Sequence, residues 1–308
     1  MIMKNIQPHH IKTISEYHRF RGLPKPEHPL MSVINLDEVG NISADEQTRW
    51  VFDFYSIALK RNFDSTVKYK YGQQTYDFDE GVMFFISPKQ VFSVETDGEY
   101  KLSGWMLLIH PDFLWQSPLA KTIKQYDFFS YSANEALHLS DKEETIIISI
   151  FQNIKQEYLS NIDKFSQPVI ISQLELLLNY SDRFYHRQFI TRNITNHKIL
   201  NRLEEILKDY FDQDSLIESG LPTVQDIAKE LNVSPNYLSG LLKTLTGQST
   251  QQHIHEKLID KAKEKLSTTN LSISEIAYEL GFEHSQSFSK LFKTKTKLSP
   301  LEYRQSFN

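Results

Sequence analysis

Cysteine is absent from this chain of 308 residues. The absence excludes disulfide bonds, thiolate metal sites and cysteine nucleophiles. Long apolar runs are absent too, because no run approaches the roughly 20 residues that a membrane-spanning helix needs. The first residues, MIMKNIQPHH, lack the apolar centre of a signal peptide. We therefore expect a cytoplasmic protein.

The net charge of −5 conceals a gradient along the chain. From residue 221 onward there are 11 Lys and Arg against 9 Asp and Glu, which is a net charge of +2 against −7 for the residues before. After His284 the basic residues outnumber the single Glu302, and they are Lys290, Lys293, Lys295, Lys297 and Arg304. Such a cluster fits DNA and also fits a plain solvated surface, so charge alone does not decide.

The length favours two domains, because a single hydrophobic core rarely grows beyond about 250–300 residues. Residues 50–111 contain short segments rich in β-branched and aromatic residues, which predict strands of an antiparallel barrel or sandwich. These segments are WVFDFYSIALK, STVKYKYG, GVMFFISP, VFSVET and YKLSGWMLLIHP. The pattern then becomes helical, and we place the domains at residues 1–190 and 191–308.

Two amphipathic helices follow the strands. The segment SDKEETIIISIFQNIKQEYL begins with Ser140 and Glu143 at capping-box spacing, and a second helix is predicted over residues 168–187. Their apolar stripes must be covered either by the strands or by another subunit. The sequence leaves both possibilities open.

The segment SISEIAYELGFEHSQSFSKLFK, residues 272–293, carries two helical periods separated by a Gly-Phe pair. Ser272 and Glu275 have the spacing of a capping box, and Gly281 permits the positive φ that ends a helix. The segment therefore predicts two short helices that meet at a tight turn, which is a helix-turn-helix unit.

The same pattern occurs 49 residues earlier, in TVQDIAKELNVSPNYLSGLLKTLTGQS. There D-I-A-x-E-L falls on E-I-A-x-E-L, and Asn232 takes the place of Gly281. Between the two units, residues 249–266 predict a helix of about 27 Å. That length suits two recognition helices that enter successive major grooves, roughly 34 Å apart. Two units, at about residues 223–246 and 272–295, therefore favour double-stranded DNA as the partner.

These motifs resemble those of the AraC/XylS family of bacterial transcription regulators. The resemblance covers residues 197–308 and is carried by IAKELNVSPNYLSGLLKTLTG, IAYELGF, FSKLFK and the final LSPLEYR. It implies an α+β protein: an N-terminal cupin-like antiparallel β-barrel with a helical hairpin, then an all-α domain of two helix-turn-helix units joined by a spacer helix. It implies a sequence-specific DNA-binding transcription regulator that responds to a small-molecule effector, forms a homodimer and contacts RNA polymerase.

The resemblance also carries DNA contacts to matching positions. In the first recognition helix, residues 235–245, the base-reading positions fall on Asn236, Ser239 and Gly240. Gly240 departs from the family, in which many members have a long basic residue at this position. Readout by this helix is therefore weaker, or it is shared with Tyr237 and Lys243.

In the second recognition helix the corresponding positions fall on Ser285, Gln286, Ser289 and Lys290. Gln pairs with adenine and Lys reaches guanine, although polar residues at these positions also suit a plain solvated face. Phosphate contacts are expected from helix N-termini and flanking basic residues. The residues at these positions are Thr223, Ser272, Lys243 and Lys293.

Two alternatives stay open, and the first is a cupin-type metal-dependent enzyme. Such barrels hold a metal through two histidines one residue apart on a strand, but the one H-x-H here, His253-Ile-His255, falls on the spacer helix. We place His9 and His10 in a mobile tail, and the remaining N-terminal histidines are scattered, at His18, His28, His110 and His138. With no G-x-S-x-G and no P-loop, we expect neither catalysis nor a cofactor.

The second alternative is a DNA-binding regulator whose barrel serves only dimerisation. An effector pocket needs a lining, and aromatic residues on the predicted strands are available for one, but strand aromatics more often form plain core, so we assign no effector residue. These residues are Trp50, Tyr55, Tyr76, Phe85 and Trp105.

Overall fold

The computed structural model describes residues 8–39, 42–43, 48–61, 81–94, 99–100, 103–131, 135–160, 163–191, 193–212 and 220–306. The predicted strand STVKYKYG and Tyr76 lie outside these residues. The chain divides into two compact units, Met1–Gln188 and Phe189–Asn308. Within the described part of the chain, no helix combines the length and the hydropathy of a membrane-spanning segment.

The described residues of the first unit form ten strands together with helices, and these strands lie in three separate sheets. One sheet has the order β10-β6-β5-β9-β2, the second β1-β4-β7 and the third β3-β8. The strands are β1 His9–Ile11, β2 Met31–Asn35, β3 Ile42–Ser43, β4 Thr48–Phe52, β5 Tyr55–Arg61, β6 Val82–Ile86, β7 Val91–Val94, β8 Glu99–Tyr100, β9 Ser103–Ile109 and β10 Leu137–His138. The helices are α1 Ile14–Phe20, α2 Leu119–Thr122, α3 Asp141–Leu159 and α4 Ser166–Thr191, with short 3-10 turns at Leu36–Glu38, Pro111–Leu114, Ile123–Gln125 and Asp127–Ser130. The last residues of α4, from Phe189 onward, belong to the second unit.

Strand β1 shows that the placement of His9 and His10 in a mobile tail was wrong. His9 pairs with Trp50 of β4 in parallel register, and the two ring centroids lie 5.3 Å apart. The imidazole Nε2 of His10 lies 2.8 Å from the Oδ1 atom of Asp53. The side chain of Ile11 is buried in the core, and this burial stabilises the strand.

The five-stranded sheet has two different faces because side chains alternate along β5. On one face Ile57 and Leu59 lie beside their cross-strand partners Phe85 and Trp105. We call this the helix face, since α3 packs on it and Trp105 stacks on Phe151 at 6.1 Å. The apolar stripe of α3 is thus covered by the strands.

The aromatic residues of the predicted strands that the structure describes lie mostly in packed core. Tyr55 packs on Phe129 at 5.1 Å, and Phe85 packs on Phe128 at 4.4 Å. Trp50 packs instead on Phe20, at 4.8 Å. Where these residues lie, the described part of the helix face is therefore packed core.

The opposite side, which we call the inner face, carries Ala58 and Lys60 of β5 with Phe84 and Met106 beside Ala58. Helix α1 packs on it, and the hydroxyl of Tyr17 donates a hydrogen bond to the Sδ atom of Met106 at 3.2 Å. The core between this face, α1 and the second sheet is apolar: Ile11, Ile14, Tyr17, Ile34, Leu36, Phe52, Phe54, Ala58, Met106 and Leu108.

The second unit consists of helices around one core. They are α5 Asn193–Asp212, α6 Val224–Glu230, α7 Pro235–Thr246, α8 Thr250–Thr268, α9 Ile273–Glu279, α10 Ser285–Thr296 and α11 Pro300–Gln305. Helix α8 contacts α5, α7, α9 and α11. Its inward residues Ile254, Leu258, Ile259, Ala262 and Leu266 are at most 4% exposed. At about 1.5–3 kcal/mol for each large apolar side chain, this burial outweighs any single surface contact in the unit.

The two helix-turn-helix units have the same turn, as the sequence predicted. Asn232 has φ +55° and Gly281 has φ +81°. After each of them the next amide closes the turn, because Val233 N donates to Ala228 O and Phe282 N donates to Ala277 O, both at 3.0 Å. The repeat is therefore one of backbone geometry as well as of sequence.

The repeat also extends further than the aligned motifs. Gly247 follows α7 with φ +76°, and Lys297 follows α10 with φ +68°. Capping boxes then start the next helices, Ser249 with Gln252 at α8 and Ser299 with Glu302 at α11. Lys297 holds a conformation that costs an L-residue roughly 1–2 kcal/mol and that costs glycine almost nothing.

We expect Gly247→Ala and Lys297→Gly to change stability in opposite directions. The alanine should lower the stability of the second unit by about 1 kcal/mol, and the glycine should raise it by about 0.5–1 kcal/mol. No atom lies within 4 Å of a Cβ built at Gly247, so backbone strain and not a clash is tested there. Hydrogen exchange of the α7 to α11 amides in the full chain measures both, and a destabilising Lys297→Gly would contradict the expectation.

Candidate nucleic-acid interface

Helices α7 and α10 are the second helices of the two units, and each has one buried and one exposed side. Helix α7 buries Leu238, Leu241 and Leu242, whereas α10 buries Phe288 and Phe292. These residues hold the helices against the shared core. The opposite sides are polar, with the exposed residues Asn236, Lys243, Gln286, Lys290 and Lys293.

The predicted contact residues occupy equivalent places in the two helices, at an offset of 50 residues. Asn236 corresponds to Gln286, Ser239 to Ser289, Gly240 to Lys290 and Lys243 to Lys293, and Ser285 opens α10. Both helices therefore present an amide near the N-terminus and a lysine near the C-terminus. They differ at the position between, where α7 has no side chain and α10 has a lysine.

Tyr237 does not lie on the exposed side of α7, and Ser239 is half-buried, as are its counterpart Ser289 and Ser285 in α10. Tyr237 is 7% exposed, and its ring packs on Phe189 with centroids 5.1 Å apart. The hydroxyl of Ser239 lies 3.1 Å from the Oγ1 atom of Thr250, and its side chain is half-buried. The spacing gives a signal for Tyr237, which precedes the buried Leu241 by four residues and so shares its stripe. We leave Tyr237 out of the proposed base contacts.

Thr223 and Ser272 cap helices α6 and α9, as predicted. The amides of Asp226 and Glu275 donate to the cap hydroxyls at 3.2 Å, and the carboxylates accept the cap amides in return. The hydrogen bond from the Thr223 hydroxyl lowers the pKa of Asp226, and that from the Ser272 amide lowers the pKa of Glu275. Each helix thus begins with a carboxylate that repels a phosphate, and the phosphate contact of Thr223 and Ser272 stays a prediction.

In each helix-turn-helix unit, a glutamate of the first helix contacts the helix that precedes that unit in the chain. The hydroxyl of Tyr210 in α5 donates to Glu230 at 2.8 Å, and this hydrogen bond raises the pKa of Tyr210 to about 12. In the second helix-turn-helix unit, the equivalent residue is Glu279, and the Nζ atom of Lys265 in α8 lies 2.6 Å from its carboxylate. Both ties lie away from the exposed sides of α7 and α10 and orient the units on the core.

Two exposed polar residues near α10 were not singled out by the sequence analysis, and they adjoin the basic residues that were. His284 precedes the helix and Ser287 lies in its first turn, and both are exposed. Lys295 and Lys297 continue the basic surface beyond Lys293. The offset of 50 from α7 is the signal that would have drawn attention to His284, which corresponds to the cap residue Ser234.

Arg304 does not belong to this basic surface, although it adds to the local charge. Its guanidinium donates to the carbonyl of Leu266 at 3.3 Å and to that of Leu271 at 2.6 Å. These carbonyls lie at the end of α8 and just before α9, so the arginine joins the spacer helix to the second helix-turn-helix unit. This contact explains the last residue of the LSPLEYR motif.

Metal ligands do not gather anywhere in the described residues, where no group of three or more His, Asp or Glu side chains has suitable geometry. His18 lies 2.8 Å from the hydroxyl of Ser32, and the Nδ1 atoms of His28 and His110 accept backbone amides. These histidines thus act as hydrogen-bonded structural residues.

A family profile described as a helix-turn-helix domain matches residues 227–306, which include α7 to α10. The chain is 25% identical over 255 residues to the HTH-type transcriptional activator RhaS of Enterobacter sp. (strain 638), covering 82% of this chain and 86% of the relative. It is 24% identical over 245 residues to the uncharacterized HTH-type transcriptional regulator YfiF of Bacillus subtilis (strain 168), covering 78% of this chain and 73% of that protein. It is 39% identical over 84 residues to the raffinose operon transcriptional regulatory protein RafR of Pediococcus pentosaceus, covering 27% of this chain and 30% of that protein.

We expect Arg304→Lys to lower the stability of the second unit by about 1.5–3 kcal/mol, because one ammonium group cannot reach both carbonyls. The charge is unchanged, so the slope of DNA affinity against salt should also be unchanged. Urea unfolding and salt titration of the full chain measure the two effects. Lys295→Arg, on the exposed surface, serves as the control. A changed salt slope without loss of stability would show that Arg304 contacts DNA instead.

Proposed function

This chain belongs to the AraC/XylS family of transcription regulators, and from this premise we propose that α7 and α10 read one operator in two successive major grooves. The observation that carries the proposal is the repeated turn geometry on both sides of α8. Helix α8 has 19 residues, which at about 1.5 Å per residue is roughly 28 Å. The recognition helices it separates suit grooves roughly 34 Å apart on one face of the duplex.

The two helices contribute unequally to specificity. In α10, Gln286 offers a bidentate amide for adenine and Lys290 an ammonium for guanine O6 or N7. In α7, Asn236 offers the amide alone, because Gly240 has no side chain at the place of Lys290. We assign most of the sequence preference to α10, with Lys243 and Lys293 as phosphate contacts at the ends of the two helices.

We expect Gln286→Ala and Lys293→Ala to impair DNA binding in different ways. Loss of the amide should relax the preference at one base pair by about 1–3 kcal/mol, whereas loss of the lysine should weaken binding to all sequences and lower the salt slope by about 1. Site selection from random duplexes by the full chain, followed by salt titration, measures both.

The equivalent Asn236→Ala provides a matched control for the weaker helix. Its effect on the selected sequences should be smaller than that of Gln286→Ala, and it should fall in the other half of the site. If Gln286→Ala leaves the selected sequences unchanged, the base-reading role of Gln286 is wrong. If the selected sequences show a preference in only one major groove, the proposal that both helices contact DNA is wrong.

The homodimer is also part of the proposal, and an apolar stripe beside α4 supports it. Phe165, Val169 and Leu176 lie at spacings of four and seven along this segment, and each is more than 40% exposed. They lie on the side of α4 away from the buried Leu174, Leu177 and Leu178. A second copy covers such a stripe most simply by presenting the same residues.

We expect Leu176→Glu to convert the dimer into a monomer, because it puts a charge in the centre of the apolar stripe. Ser149→Glu adds the same charge at an exposed position of α3 and should leave the dimer intact. Sedimentation velocity measures the mass of each. Two variants of equal mass would contradict the assignment of this stripe.

For the first unit we propose a sensory role, in the cytoplasm where the operator lies. A small-molecule effector shifts the equilibrium between arrangements of the dimer, which changes the operator spacing that it spans and its contact with RNA polymerase. The effector-independent alternative predicts operator binding that no small-molecule fraction of a cell extract alters. The enzyme alternative would require stoichiometric zinc or iron in the purified protein.

A further inference from the structure

The boundary of the two compact units falls inside helix α4, after Gln188 and before Phe189. The last turn of this helix therefore has residues in the first unit and residues in the second. Neither Pro nor Gly occurs in α4 after Pro168. Neighbouring residues of an uninterrupted helical turn move together, so a displacement of Gln188 also displaces Phe189.

In the first unit, the side-chain amide of Gln188 holds this turn to strand β10. Gln188 is 1% exposed. Its Oε1 atom accepts the amide of His138 at 2.8 Å, and its Nε2 atom donates to the carbonyl of Ala136 at 3.1 Å. Strand β10 pairs with β6, so these hydrogen bonds join the helix to the edge of the five-stranded sheet. Because buried hydrogen bonds depend on distance and angle, a shift of the turn by roughly 1 Å breaks them.

Arg187 strengthens this attachment. Its guanidinium donates twice to the carboxylate of Glu143, at 3.0 and 2.6 Å, and its Nη2 atom also donates to the carbonyl of His138 at 2.7 Å. Glu143 in turn accepts the amide of Ser140 at the start of α3. A bidentate pair fixes the plane of the guanidinium as well as its distance. Strand β10 and the first turn of α3 thus set the position of the last turn of α4.

In the second unit, the next residue of α4 supports the first recognition helix. Phe189 is 2% exposed, and its ring meets that of Tyr237 at an interplanar angle of 77° and a centroid distance of 5.1 Å. Tyr237 lies in the first turn of α7, where its amide donates to the cap hydroxyl of Ser234 at 3.2 Å. Edge-to-face ring pairs prefer a defined geometry, so Phe189 helps to position this turn. Asn236, with its proposed base contact, is the residue before Tyr237.

The second recognition helix has a different residue at this position. The counterpart of Tyr237 in α10 is Ser287, at the offset of 50, and it is exposed. The first turn of α10 is instead held through Phe288, which belongs to the shared core. The two helices are therefore equivalent in backbone but unequal in what supports their first turns.

We propose that the last turn of α4 is the element through which the first unit regulates DNA reading by α7. Gln188 and Arg187 position Phe189, and Phe189 positions the first turn of α7. The rest of α7 stays on the shared core through Leu242, so the effect is confined to the first turn and leaves α10 unchanged. The inference rests on the proposed function of α7 and α10. Regulation then alters the preference in one half of the operator, while the other half anchors the protein.

Hydrogen exchange of the full chain without DNA measures the support of α7 directly. Gln188→Met keeps the length of the side chain and removes its amide, so we expect the Tyr237 and Leu238 amides to exchange about threefold faster or more. The equivalent amides of Ser287 and Phe288 in α10 should change less than about twofold. Phe189→Leu, which removes the ring, should act in the same direction.

Gln167→Met is the matched control, because it makes the same substitution at the other end of α4. The Nε2 atom of Gln167 donates to the carbonyl of Phe113 at 2.7 Å, so this variant also removes a hydrogen bond to the backbone. It should leave the exchange rates of the α7 amides at the parent values. Thermal unfolding shows that each variant is folded.

Site selection from random duplexes by the full chain then measures the effect on DNA. Phe189→Leu and Gln188→Met should each lower the enrichment in the α7 half of the site by about threefold or more, because Asn236 is held less firmly. The α10 half should stay within about twofold of the parent, and Gln167→Met should select the sequences that the parent selects. A loss of stability alone would weaken both halves together.

The outcomes separate this inference from the proposed function. A parent that selects sequence in only one groove would overturn the proposed function and this inference with it. A parent that selects both halves, with both unchanged or both equally weakened in folded Phe189→Leu, would overturn the inference alone. Faster exchange at α7 in Phe189→Leu, with parent rates in Gln188→Met, would overturn the control by the first unit.

Discussion

The burial of one face of α8 is the constraint on which the DNA-binding half of the protein depends. This helix contacts α5, α7, α9 and α11, and it lies between the two helix-turn-helix units in the chain. Each short unit has too few apolar residues to form a core alone, and α6 and α9 have only 7 residues each. Sharing the core around Leu258 and Ala262 makes the positions of α7 and α10 interdependent. A rigid separation between the recognition helices follows from packing.

Local signals in the sequence predicted the second unit well, because its structure depends on them. The capping boxes at Thr223 and Ser272, and the positive φ at Asn232 and Gly281, are properties of a few neighbouring residues. Helix periodicity likewise gave the buried sides of α7 and α10. These signals do not show the contact of Ser239 with Thr250, because Thr250 lies 11 residues further along the chain. The base contact of Ser239 stays a prediction.

The first unit was harder to predict because its strands depend on distant partners. His9 and His10 form a strand only because Trp50 and Val51 lie beside them, and nothing local in MIMKNIQPHH indicates this pairing. The side of the sheet on which an aromatic residue lies is also set by register, and a shift of one residue exchanges the two faces. The sequence therefore could not tell that Tyr55, Phe85 and Trp105 all lie on the helix face and form core.

Cations of the second unit have two different kinds of surroundings. Arg304 is half-buried, and its guanidinium donates to the carbonyls of Leu266 and Leu271, so its hydrogen bonds are used within the protein. Lys290 and Lys293 of α10 are exposed. Exposed cations bind a polyanion by releasing its counterions, so their contribution to the proposed DNA contact falls as the salt concentration rises. Net charge counts all three residues alike, whereas only the two exposed lysines are available to a polyanion.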